Sequence, residues 1–120
     1  MKKILIADDK DAGRELVRTV LEKGGYEIFE ASNGIDALAL AHRVQPDLIV
    51  LDLHMPGLDG FGVIQELRVY PVFASTPVVA LTASAMQGDK QKAMNAGFTG
   101  YITKPVSLSF LRSEVERLLD

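Results

Sequence analysis

The stretch Asp47-Leu48-Ile49-Val50-Leu51-Asp52 decides the fold, because four consecutive apolar residues end directly at an aspartate. A continuous apolar run of this kind is typical of a strand that is buried on both faces. Such strands occur in parallel sheets whose two faces are covered by helices. The segment therefore predicts a central strand of a parallel sheet, with Asp52 at its carboxyl end.

Four further apolar runs flank this strand along the chain, and longer amphipathic stretches separate them. The predicted strands cover residues 3–7, 26–31, 48–51, 77–81 and 99–103. Apolar residues at helical spacing mark the stretches that follow each strand. Five strands that alternate with five helices indicate an α/β fold, in which right-handed crossovers place helices on both faces of a parallel sheet.

The spacing of apolar residues also predicts which face each helix buries. The five predicted faces are, in chain order, Leu16, Val17, Val20 and Leu21; Ile35, Leu38 and Ala41; Phe61, Ile64 and Leu67; Ala93, Met94 and Ala96; and Leu108, Leu111, Val115 and Leu118. Asp11 is expected to cap the first helix, and the turn Ser32-Asn33-Gly34 is expected to cap the second. Ser84 and Gln87 would form a capping box for the fourth.

The composition fits one folded domain, which we expect to span residues 1–120. Hydrophobic residues make up 48% of the chain and charged residues 24%, and the absence of cysteine excludes disulfides and thiolate metal sites. The net charge of −3 disfavours nucleic acid or an anionic membrane as the main partner. No apolar run is long enough for a membrane span, and Asp8 and Asp9 follow too soon for a signal peptide, so we expect a cytoplasmic protein.

Polar residues stand where four of the predicted strands end. Asp8 and Asp9 follow the first strand, Asp52 the third, Thr82 the fourth and Lys104 the fifth. In open α/β sheets, ligands bind outside the carboxyl ends of the strands, where the strand order reverses. In the flavodoxin-like order 2-1-3-4-5 that point lies between the first and third strands. We therefore expect the three aspartates to converge there, with Thr82 and Lys104 beside them.

Three neighbouring carboxylates cannot all remain ionised comfortably without a counter-charge. A set of oxygen ligands without histidine or cysteine suits a hard cation such as Mg²⁺. One divalent cation and Lys104 together balance the three negative charges. An aspartate carboxylate can act as a nucleophile, and charge stabilisation is the main requirement of phosphoryl transfer. The set therefore predicts a site that transfers a phosphoryl group to Asp52.

Four segments, taken in order, resemble the receiver domain of two-component response regulators, of the single-domain chemotaxis-regulator type. They are residues 4–9 (ILIADD), 47–60 (DLIVLDLHMPGLDG), 79–83 (VALTA) and 101–105 (YITKP). The resemblance covers essentially the whole chain. It implies a flavodoxin-like (βα)5 three-layer sandwich with a five-stranded parallel sheet of order 2-1-3-4-5.

The resemblance also implies roles at the site. Asp52 would take a phosphoryl group from a phosphohistidine of a sensor histidine kinase or of a histidine phosphotransfer protein. Thr82 and Lys104 would contact that phosphoryl group. The ligands of Mg²⁺ would be Asp8, Asp9, Asp52 and the backbone carbonyl of His54.

Tyr101 would be the switch aromatic that turns inward when Thr82 moves, although an aromatic residue in an edge strand is also a common packing residue. The Lys104–Pro105 peptide bond would be cis, and the fourth helix, fifth strand and fifth helix would form the output face. His54 and Ser84, two residues after Asp52 and Thr82, would tune dephosphorylation.

The implied protein is a signalling domain that catalyses only its own phosphorylation and dephosphorylation, not an enzyme. Its partners would be the kinase or phosphotransfer protein and a downstream protein target or effector domain, without direct contact to nucleic acid or membrane. It would act as a monomer or as a dimer linked to phosphorylation. The sequence leaves open whether the chain stands alone or belongs to a longer regulator.

Three other functions compete with this interpretation. A haloacid-dehalogenase-type phosphatase also uses an aspartyl nucleophile and Mg²⁺, but His54 stands where its second acidic residue would be. A flavodoxin-like FMN carrier would need a hydroxyl-rich phosphate loop where Asp8 and Asp9 stand. A pure interaction domain would leave the clustered charge without a ligand.

Overall fold

Strand pairing confirms the predicted sheet. The computed structural model describes residues 1–83, 86 and 88–120, and in this part of the chain the strands form one sheet of order 2-1-3-4-5. All four pairings between neighbouring strands are parallel. The reversal of strand order therefore lies between the first and third strands, as expected.

Helices follow each strand along the described residues. The elements are β1 (Lys3–Ala7), α1 (Asp11–Lys23), β2 (Glu27–Ala31), α2 (Gly34–Val44), β3 (Leu48–Asp52), α3 (Gly60–Arg68), a 3-10 turn (Pro71–Phe73), β4 (Val78–Thr82), α4 (Asp89–Ala96), β5 (Gly100–Thr103) and α5 (Leu108–Leu119). Each predicted strand agrees with the observed one to within one residue at either end.

The side chains of β3 alternate between two hydrophobic cores, which explains why the whole run is apolar. Ile49 and Leu51 pack in a cluster with residues of α2, α3 and α4. Leu48 and Val50 pack in a second cluster with residues of α1 and α5. The sheet is therefore the middle layer of three, and every residue of β3 is buried.

The helix faces are correct in their centres, but four of the predicted positions are wrong. Leu16, Ile35, Met94 and Leu108 are 44%, 69%, 38% and 41% exposed, although the apolar spacing predicts that they are buried. Their helices meet the sheet through narrower stripes than the apolar spacing suggests. In α2 the contact is made by Ala37 and Ala41, both fully buried, because small side chains let the helix approach closely.

The predicted helix caps are confirmed in α2 and wrong in α1. Asn33 caps α2, and its side chain accepts a hydrogen bond of 2.8 Å from the backbone N–H of Asp36. Asp11 is instead the first helical residue of α1, where Lys10 occupies the cap position without a side-chain cap bond. A carboxylate in the first turn still interacts favourably with the helix dipole. The predicted capping box of Ser84 and Gln87 lies outside the described residues.

The register of the sheet brings the polar strand ends together. Ala7 pairs with Leu51, so Asp8 and Asp52 directly follow paired positions on adjacent strands. Thr82 pairs with Thr103, the residue before Lys104. Among the described residues, the helices are all too short or too polar to cross a lipid bilayer.

Candidate functional site

Three aspartates from two neighbouring strands meet at the carboxyl edge of the sheet. Asp8, Asp9 and Asp52 each present a carboxylate oxygen, and these oxygens lie within 4.8 Å of one another. Asp8 and Asp52 are buried, with 1% and 3% of their surface exposed, and Asp9 is half-buried. The structure thus brings together the acidic residues that the sequence placed at one edge.

Lys104 supplies the positive charge of this acidic pocket. Its Nζ lies 2.7 Å from Oδ2 of Asp52 and 3.3 Å from Oδ2 of Asp8. Burial disfavours the ammonium, but its hydrogen bonds and charge interactions with Asp52 and Asp8 outweigh that effect and raise the pKa of Lys104. The Lys104–Pro105 peptide bond that follows is cis, as the resemblance implied.

Asp8 and Asp52 are held by further hydrogen bonds from the backbone. Oδ1 of Asp8 accepts a bond of 2.9 Å from the N–H of Lys10, and Oδ1 of Asp52 accepts one of 2.9 Å from the N–H of His54. Burial raises the pKa of Asp8, and the charge of Asp52 adds to that increase, while the N–H of Lys10 and the charge of Lys104 oppose it. Burial therefore disfavours the ionised form of Asp8 relative to an exposed aspartate.

Asp9 shows that the pocket suits a cation. Its Oδ1 atom is buried and has no hydrogen-bond partner. A buried carboxylate oxygen without a partner is costly, and a hard cation accepts that type of ligand. The oxygen donors of Asp8, Asp9 and Asp52 match the preference of Mg²⁺, so the residues present fit this ion.

Thr82 and His54 meet beside the acidic pocket. Oγ1 of Thr82 lies 3.3 Å from Nε2 of the His54 ring, and the carbonyl of Thr82 accepts a 2.7 Å bond from the N–H of Lys104. The sequence placed His54 near the phosphoryl group but could not tell where its ring points. In the structure the ring contacts the hydroxyl group of Thr82, which the resemblance predicts to contact the phosphoryl group.

Tyr101 lies in β5 and is partly buried against the cluster formed with α2, α3 and α4. Burial raises the pKa of its phenol, and the negative charge of Asp89 at the start of α4 adds to this effect. Ser84, the other residue assigned to tuning, lies outside the described residues.

Comparison with known proteins decides the family. A sequence model of the response regulator receiver domain matches residues 4–116. The chain belongs to this family. As a receiver it takes part in two-component signal transduction, and the haloacid-dehalogenase alternative has no support.

Three relatives illustrate the range of receivers that this chain resembles. It is 43% identical to the DNA-binding dual master transcriptional regulator RpaA of Synechocystis over 99% of this chain, and spans 49% of the length of RpaA. Chemotaxis protein CheY4 of Vibrio cholerae has a TM-score of 0.93 and 33% identity, with 99% of each chain covered. The receiver of sensor histidine kinase PA1611 from Pseudomonas aeruginosa has a TM-score of 0.90 and 30% identity, with 98% of this chain and 97% of that chain covered. That receiver holds a magnesium ion in its active-site cleft.

Proposed function

We propose that Asp52 is the phosphoacceptor and that Mg²⁺ is required for its phosphorylation. The supporting observation is the position of its carboxylate, which is buried beside Asp8 and within 2.7 Å of the ammonium group of Lys104. The donor would be a phosphohistidine of a sensor kinase or of a phosphotransfer protein. In the reaction a carboxylate oxygen of Asp52 forms a bond to phosphorus while the bond from phosphorus to the histidine nitrogen breaks.

The ligands proposed for Mg²⁺ are the carboxylates of Asp8, Asp9 and Asp52 and the backbone carbonyl of His54. The ion, when bound, offsets negative charge on the carboxylates and on the phosphoryl oxygens. Asp8 and Asp52 are already fixed by backbone N–H groups and Lys104, so little reorganisation is needed before transfer.

Thr82 and Lys104 are proposed to hold the phosphoryl group after transfer. Lys104 is already at Asp52 and can turn its ammonium group toward the new phosphoryl oxygens. Thr82 would donate its hydroxyl proton to one of them, which requires its contact with the His54 ring to rearrange. That rearrangement connects the chemistry to β4, β5 and Tyr101, the proposed switch aromatic.

The output of the domain would then be a change on the face formed by α4, β5 and α5. A downstream protein or an effector domain would bind this face, and the domain would act as a monomer or as a dimer linked to phosphorylation. The domain would act only on its own acyl phosphate, in the cytoplasm, without direct contact to nucleic acid. The net charge of −3 supports the last point.

Acetyl phosphate provides a direct test of the phosphoacceptor. We expect the intact mass to increase by one phosphoryl group in the presence of Mg²⁺, and to remain unchanged with EDTA. The increase should be absent in Asp52→Asn, because an amide is not a nucleophile of this kind. Asp59→Asn is the matched control, since asparagine caps α3 as well as aspartate does. Phosphorylation of the Asp52→Asn variant would refute the assignment.

A further inference from the structure

We infer that Arg14 is a positioning residue for the magnesium pocket, because it fixes the peptide group between Asp8 and Asp9. This inference rests on the proposed function. Nη1 of Arg14 donates a hydrogen bond of 2.8 Å to the backbone carbonyl of Asp8. That carbonyl belongs to the Asp8–Asp9 peptide unit, which is planar. A rotation of the unit would change the directions in which both carboxylates leave the backbone.

The Arg14 side chain is itself anchored on the neighbouring strand. Its Nε lies 3.1 Å from Oε1 of Glu30 in β2, and its side chain is only 17% exposed. A second bond joins Nη2 to Asp11 at 2.7 Å, but the Asp11 side chain is 91% exposed and gives little support. The guanidinium group thus forms a rigid bridge from Glu30 to the carbonyl of Asp8.

Other contacts fix the N–H and the side chain of Asp8, whereas Arg14 bonds to the carbonyl of the Asp8–Asp9 peptide. The N–H of Asp8 donates a bond of 3.2 Å to the carbonyl of Ala31 in β2, so the strand ladder holds one side of the residue. Close packing holds the other side, because a Cβ atom on Gly13 would lie 2.8 Å from Oδ2 of Asp8. Groups that orient metal ligands from outside typically change metal affinity by about 10- to 100-fold when removed.

Arg18 provides a matched control on the same helix. Its Nη1 lies 2.9 Å from Oε2 of Glu30, so both arginines share one carboxylate, and Arg18 also pairs with Glu22. Within the part of the chain that the structure describes, Arg18 is bonded to glutamates and not to Asp8. Arg18→Gln therefore removes the same charge and the same partner as Arg14→Gln, but keeps the bond to the Asp8 carbonyl.

The test is a Mg²⁺ titration of the metal-free protein, in which two-dimensional amide NMR spectra report the binding. We expect the dissociation constant for Mg²⁺ to increase about tenfold or more in Arg14→Gln, and to stay close to the wild-type value in Arg18→Gln. Melting temperatures in EDTA should be similar for the two variants. Arg14→Lys keeps the charge but not the guanidinium fork, so it should also bind Mg²⁺ weakly.

The outcomes separate the two proposals. If the wild-type protein itself shows no Mg²⁺ binding at Asp8, Asp9 and Asp52, the proposed function fails. If the wild-type protein binds Mg²⁺ and Arg14→Gln or Arg14→Lys binds it equally well, the positioning role is refuted. An equal loss in Arg18→Gln would refute it too, since charge alone would then explain the effect. If Arg14→Gln does not fold, Glu30→Gln replaces it, because this variant removes the anchor of Arg14, and unchanged Mg²⁺ affinity there would refute the inference.

Discussion

Asp9 differs from the two other aspartates of the pocket in how its charge is supported. Asp8 and Asp52 each accept hydrogen bonds from a backbone N–H and from Lys104. Oδ1 of Asp9 is buried without a hydrogen-bond partner, and a carboxylate oxygen of Asp9 lies within 4.8 Å of oxygens of Asp8 and Asp52. Like charges at this separation repel, and Lys104 balances only part of the total. The unpartnered oxygen and the repulsion among the three carboxylates therefore reduce the stability of the fold.

Neutralising Asp9 should stabilise the metal-free protein. We expect Asp9→Asn to raise the free energy of unfolding in EDTA by about 1 to 3 kcal/mol, because the mutation removes repulsion between partly buried carboxylates. Urea unfolding at neutral pH measures this change. Glu66→Gln, an exposed position on α3, removes the same charge far from the pocket and should change the free energy of unfolding little. A stability loss in Asp9→Asn, or an equal gain in both variants, would contradict this explanation.

The acidic residues could be located from the sequence because strand ends are easily recognised. Asp8, Asp9 and Asp52 each follow an apolar run, and the order of parallel strands then determines which ends are neighbours. Side-chain direction was not predictable in the same way. The contact of the His54 ring with Thr82 and the bridge from Arg14 to Asp8 depend on rotamers and loop geometry. A periodic pattern carries no information on either.

The helices show where periodicity is a reliable guide. In α5, Leu111 and Val115 are fully buried in the core shared with α1, while Leu108 at the start of the same stripe is 41% exposed. The stripe predicted the orientation of the helix correctly. It did not predict where the helix leaves the sheet, because that depends on the crossing of α5 over its neighbours. The N-cap of α1 was predicted wrongly at Asp11 for a related reason, since backbone and loop groups can replace a side-chain cap.

Truncation of two leucines in α5 tests this assignment of its faces. We expect Leu111→Ala to lower the free energy of unfolding by about 2 to 5 kcal/mol, because it leaves a cavity at a fully buried position. Leu108→Ala is the matched control and should lower it by less than about 1 kcal/mol. Urea denaturation of both variants gives the two values. Similar losses at the two positions would show that α5 packs differently.

At the scale of the whole molecule, the acidic pocket lies at an edge of the sheet that neither hydrophobic core covers. One core lies beneath α1 and α5, the other beneath α2, α3 and α4, and the sheet separates them. The acidic pocket forms at the carboxyl edge of that sheet, where Asp8 and Asp52 meet although 44 positions separate them in the sequence. The pocket exists only in the folded chain, so cation binding and folding are thermodynamically linked.

If Asp8, Asp9 and Asp52 together bind Mg²⁺, the ion must stabilise the folded chain, and thermal unfolding with and without Mg²⁺ measures that stabilisation. At a free Mg²⁺ concentration of about 100 times the dissociation constant, binding should add about 2.7 kcal/mol to the free energy of unfolding and raise the melting temperature by several degrees. Glu66→Gln should keep this rise, and Asp9→Asn should lose most of it. An unchanged melting temperature of the wild-type protein at millimolar Mg²⁺, or a full rise in Asp9→Asn, would show that these three aspartates do not bind the ion together.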